Sequence, residues 1–105
     1  MKRIIILSAA ALSLQACTWI KLTPEGEQAR VLSAADVTNC KKLGATTVSM
    51  ATKVGIVPLN QKKVAEELKL LARNSAAEMQ GDSVVAVGEP KEGQQTFDVY
   101  RCINP

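Results

Sequence analysis

Val64, Leu68, Leu71, Ala72, Ser75 and Met79 recur at offsets of 0, 4, 7, 8, 11 and 15. That spacing lines one face of a helix and excludes a strand, whose period is two. Asn60 stands where an N-cap belongs, and Gly81 where a left-handed residue closes a helix. The spacing therefore predicts a helix over 61–80, about 30 Å long at 1.5 Å per residue. Lys62/Glu66 and Lys63/Glu67 are i,i+4 pairs and are expected on its outer side. A lone amphipathic helix cannot bury its own stripe, so it needs a sheet to cover.

The flanking sequence supplies one. Ala29–Leu32 is a short strand candidate, and Leu43–Met50 is a second, with Gly44 marking a bulge. Between them, Ser33–Asn39 is polar and turn-forming. Ala51–Leu59 contains Gly55 and Pro58 and is expected to be a loop. Beyond the helix, Ser83–Val87 is strongly apolar. Gly88–Gln95, with Pro90 and Gly93, is expected to be a connecting loop, and Thr96–Cys102 a last strand with Phe97 and Val99 on one face. The order ββαββ predicts an α+β fold: an antiparallel or mixed sheet of about four strands with one long helix on one face.

The first residues have a different character. Lys2 and Arg3 precede an uncharged apolar run from Ile4 to Leu14, and Leu14-Gln15-Ala16-Cys17 follows at once. A basic end, a short apolar core and a small residue before a cut make a secretory signal. The run falls short of the roughly 20 residues a membrane-spanning helix needs. A buried N-terminal helix is the alternative, and the abrupt change after Cys17 suits it poorly. Leu14-Gln15-Ala16-Cys17 also resembles the lipobox of bacterial lipoproteins. That resemblance implies a signal peptide over 1–16, cleavage before Cys17, and acyl chains on the Cys17 thiol and amine. Several acyl chains hold a protein to a membrane firmly where one does not. Thr18, rather than Asp, follows the cysteine, which in that family implies the outer membrane, here with the domain facing the periplasm. Residues 17–27 then read as a lipidated tether, with Thr23-Pro24-Glu25-Gly26 turn-like and Trp19 suited to a membrane interface. Residues 28–105 form the single domain.

Loss of Lys2 and Arg3 lowers the basic side chains from 13 to 11, against 10 acidic ones. Little attraction for polyanions survives, and one Trp, one Tyr and one Phe give no stacking platform, so no nucleic acid partner is expected. Histidine is absent, which removes the commonest general base and metal ligand. Asp36, Glu66, Glu67, Asp82 and Asp98 could in principle supply a pair of catalytic acids, but Glu66 and Glu67 are adjacent on the helix and point differently, and the others sit in turn-like contexts or on a short strand. Gly88-Glu89-Pro90-Lys91-Glu92-Gly93 lacks the Gly-Lys-Ser/Thr of a phosphate loop. No enzyme activity, cofactor or metal is expected.

Cys40 and Cys102 remain once Cys17 is acylated. An even pair in an oxidising compartment is expected to bridge, and no C-x-x-C spacing suggests a redox role. The two meet if the second and last strands lie antiparallel in one sheet.

Cys40-Lys41-Lys42-Leu43-Gly44, the run from Leu71-Ala72-Arg73-Asn74 through Gly81-Asp82-Ser83-Val84-Val85, and Tyr100-Arg101-Cys102 resemble the small lipoprotein family typified by YjeI, a domain-of-unknown-function family. More distantly, the helix-Gly-strand segment and final Cys resemble the envelope-stress lipoprotein RcsF, whose fold carries two disulfides. The resemblance implies a place in the cell envelope and a fold, without an activity. The expected function is a membrane-anchored, non-enzymatic interaction protein with an envelope protein partner; the alternatives are a binding module for peptidoglycan or lipopolysaccharide fragments or an RcsF-like stress sensor, and a small hydrolase is the least favoured class.

Overall fold

The computed structural model describes residues 21–105. The signal segment 1–16, Cys17 and Trp19-Ile20 lie outside the described residues. Among the described residues, no helix is long and apolar enough to cross a membrane.

Among the described residues there are six strands and one α-helix: β1 (Arg30–Leu32), β2 (Lys41–Ser49), β3 (Lys53–Val54), β4 (Val57–Pro58), α1 (Gln61–Glu78), β5 (Ser83–Lys91) and β6 (Gln94–Arg101). Four of them form a mixed sheet in the order β1-β5-β6-β2. β5 and β6 are an antiparallel hairpin, β2 runs antiparallel to β6, and β1 runs parallel to β5. The expected α+β arrangement, one helix against a four-stranded sheet, is what the chain adopts.

Its core follows from the two periodicities. Val64, Leu68 and Ala72 come from α1, and Val84, Phe97 and Val99 from the facing strands, all 2% exposed or less. Ala76 completes the helical stripe, while Leu71, Ser75 and Met79 sit at its half-buried margin. Asn60 caps α1, its side-chain oxygen accepting from the N–H groups of Lys62 at 2.8 Å and Lys63 at 3.2 Å. The bulge expected near Gly44 lies between Lys42 and Gly44.

Several expectations need correction. The helix ends at Glu78, and the left-handed residue is Gln80 (φ 64°), one place before Gly81. Gln80 N–H bonds Ala77 O and Gly81 N–H bonds Ala76 O, closing the helix in a Schellman turn. Gly81 has another duty: a Cβ there would stand 2.5 Å from Val99 Cγ1, so the glycine lets the chain pass close over β6. Glu67 is not on the outer side; it is 5% exposed, with Lys63 Nζ at 3.6 Å. Glu66 pairs at 3.5 Å with Lys69, three residues on.

Two expected loops carry strands. Ala51–Leu59 contains the β3–β4 hairpin, turning at Gly55 with φ 64°. The stretch 88–95 continues the β5–β6 ladder. β5 carries extra residues between Val87 and Lys91, and the chain reverses at Glu92-Gly93, both at positive φ. That conformation matches the turn favoured in two-residue hairpins. Gln95 Nε2 donates to Gly88 O at 3.0 Å across the bulge, supplying a partner where the ladder is interrupted.

Candidate functional site

The antiparallel pairing of Lys41 with Arg101 places the residues just outside it, Cys40 and Cys102, side by side. They form a disulfide with Cα atoms 4.4 Å apart, joining positions 62 residues apart in the chain. The bond ties the end of β6 to the beginning of β2.

Beside it lies a junction built on Asp82. Its carboxylate accepts from the backbone N–H groups of Cys102 at 2.8 Å and Ile103 at 2.9 Å, and from the Ser83 hydroxyl at 3.0 Å. Its own N–H donates to Tyr100 O, and its carbonyl accepts from Arg30 N–H, joining β1, β5 and β6 at one residue. Partial burial pushes the Asp82 carboxyl up. The Cys102 and Ile103 N–H groups, the Ser83 hydroxyl and the nearby Arg30 charge outweigh it and hold it below the usual carboxylate range. Arg101 Nε adds a bond to Gln80 O at 3.1 Å. Sequence reasoning counted Asp82 only as a potential acid. Apart from Ser83, the partners of its carboxylate are backbone groups some twenty residues away, which no local motif announces.

The second assembly involves the segment that precedes β1. From Lys21 onward it is laid against α1 rather than extended. Asn74 accepts from Thr23 N–H at 2.8 Å and from the Thr23 hydroxyl at 3.1 Å, and donates to Lys21 O at 2.8 Å. Arg73 Nε donates to Ala29 O at 2.7 Å, and its Nη2 to Glu27 O at 3.3 Å. A 3-10 turn at Gly26–Gln28 buries Gly26 against Asn74. Adjacent residues Arg73 and Asn74 thus hold the incoming chain along the helix. Thr23, Glu25, Asn74, Ala77 and Glu78 line an open depression of about 160 Å³ at this contact.

The other four carboxylates considered as catalytic acids, Asp36, Asp98, Glu66 and Glu67, are not brought together as a pair across a cleft. Asp36 accepts from the Ser33 hydroxyl at 2.8 Å and the Ser33 N–H at 3.2 Å, which hold its carboxyl below the usual range. Asp98 is 3.4 Å from Lys42 Nζ on the open sheet face. Glu66 and Glu67 each lie beside a lysine of α1. Among the described residues, no group of three or more His, Cys, Asp and Glu side chains is placed to hold a metal ion.

A family model, described as a domain of unknown function, DUF4156, matches residues 20–102. That span takes in the strap on α1, both bridging cysteines and the whole sheet. No curated protein and no solved structure matches this chain.

Proposed function

The chain belongs to the DUF4156 family, and from that premise we propose that it is a lipid-anchored cell-envelope protein that works by contact rather than by catalysis. The observation that carries this reading is the Cys40–Cys102 bond. A bridge of this kind persists in an oxidising compartment and leaves Cys17, within Leu14-Gln15-Ala16-Cys17, as the one cysteine for acylation. Thr18 after that cysteine favours the outer membrane, and a periplasm-facing domain is the reading we adopt. The resemblance to the YjeI-type lipoproteins supports the same placement. The likeness to RcsF extends to at most one disulfide, so an envelope-stress role is the weaker part of the proposal.

Mass spectrometry of the protein extracted from membranes tests it. The expected N-terminus is Cys17 carrying acyl chains, and Cys17→Ser is expected to accumulate as an uncleaved precursor. A mature N-terminus with an unmodified thiol rejects the anchor. In-cell crosslinking, with the captured chain identified, then tests for an envelope protein partner.

The depression at Asn74 favours a second reading, a binding module for peptidoglycan or lipopolysaccharide fragments. Glu25 and Glu78 offer acceptors there, beside the hydrogen-bonded pair Thr23 and Asn74. Titration with such fragments is expected, on this reading, to shift the amide signals of Thr23, Asn74 and Ala77 together.

A further inference from the structure

We propose that the tip of the β3–β4 hairpin is a membrane-contacting finger, which sets Ile56 and Val57 into the headgroup region of an anionic lipid surface. Ile56 is 93% exposed and Val57 62% exposed. They stand at the turn of a hairpin only two residues long on each side, directly after Gly55. Apolar side chains so exposed at adjacent positions are not the scattered surface residues every protein carries.

Charge identifies the surface they fit. From Val37 to Ala65 the chain has five lysines and no Asp or Glu. Lys42 lies beside Asp98 and Lys63 beside Glu67. Lys53, at the start of the hairpin, and Lys62, in the first turn of α1, form no salt bridge among the described residues. Gly93 O accepts from Met50 N–H at 2.8 Å, so the β5–β6 turn, with Lys91, Glu89 and Glu92, reaches the base of the hairpin rather than its tip. Two aliphatic side chains flanked by lysines match the interface of a bilayer, where apolar groups enter the acyl boundary and lysines meet phosphates. The same tip suits a protein partner poorly, because two exposed aliphatic side chains are too small for the central anchor of a standard interface.

This contact is separate from acylation of Cys17. Lys21 is held at Asn74, more than three helical turns from the α1 end that the hairpin precedes. A finger and an anchor would therefore fix the domain at two points.

The test places photoreactive benzoylphenylalanine at position 56 or, as control, at the exposed Ala35 in the full chain. Each form is mixed with phosphatidylcholine vesicles, with and without phosphatidylglycerol. Lipid adducts are expected at position 56 well above those at 35, and higher with phosphatidylglycerol. Lys53→Gln and Lys62→Gln are each expected to reduce them by about fivefold. Equal adduct yields at 56 and 35 overturn the proposal, as do adducts at 56 to a second copy of the chain instead of lipid. Circular dichroism checks that each variant is folded. The N-terminal peptide of the protein from membranes scores the anchor independently, so the two failures are read at different places.

Discussion

Gln80 holds a backbone conformation that costs a residue with a Cβ about 1–2 kcal/mol, and it does so because Gly81 is needed elsewhere. Gln80→Gly is therefore expected to raise stability by about 1 kcal/mol, seen as a higher urea midpoint with an unchanged m-value. Gly81→Ala is expected to do the reverse, since its methyl group would meet Val99 and the Tyr100 carbonyl. Asp82 makes a pH prediction. Its folded-state pKa is depressed, so its contribution is fully present above the ordinary carboxylate value. It is lost as pH falls through the lower folded value. Asp82→Asn is expected to lower stability at pH 7 and to flatten the acid limb of a stability–pH curve. An acid limb identical to that of the parent protein would mean that the Cys102 and Ile103 bonds contribute nothing.

At the scale of elements, α1 and its neighbours differ in how far their sequences announce them. The α1 stripe is legible because its period survives any tertiary detail. Leu68, fully buried, is its centre, and Leu68→Ala is expected to cost about 2–5 kcal/mol in denaturant unfolding. Glu67 is not legible, because a charge at i,i+4 from a lysine has the signature of a solvated face, yet in the folded domain it is buried. The hairpin turn at Glu92-Gly93 is hidden for another reason. Gly88, Pro90 and Gly93 are loop signals, and only the pairing of Lys91 with Gln94 and the Gln95 side-chain bond to Gly88 O show that they serve a bulge and a tight turn. The strap before β1 has no periodicity, and its partner is Asn74, about fifty residues distant. Asn74→Ala removes three hydrogen bonds in one step. It is expected to cost about 1–3 kcal/mol and to abolish hydrogen-exchange protection at Thr23 while leaving the sheet protected.

Over the whole molecule, the topology leaves two vulnerable ends. β1 is a three-residue edge strand, and the chain after β6 has no ladder of its own. The Cys40–Cys102 bond and the Asp82 junction hold the second of these. The cysteine pair could be read from sequence because, with Cys17 assigned to lipid, only two remained. Their placement at the matched ends of β2 and β6 required the register Lys41↔Arg101. Closing a loop between positions 62 residues apart restricts the unfolded chain by about 4 kcal/mol in the entropic account. A domain of this size has a total stability of roughly 4–13 kcal/mol, so the bond is a large share of it. Cys40→Ser and Cys102→Ser are each expected to lower stability by about 2–5 kcal/mol. The double variant is expected to be little worse than either single, because one bond is lost in all three. Additive losses would instead mean that each cysteine stabilises the fold by its own packing, and that the bridge is incidental. Reduction of the parent protein gives the same comparison without substitution. Its unfolding midpoint should fall to that of the double variant, with Asp82 still holding the N–H groups of Cys102 and Ile103 in whatever folded fraction remains.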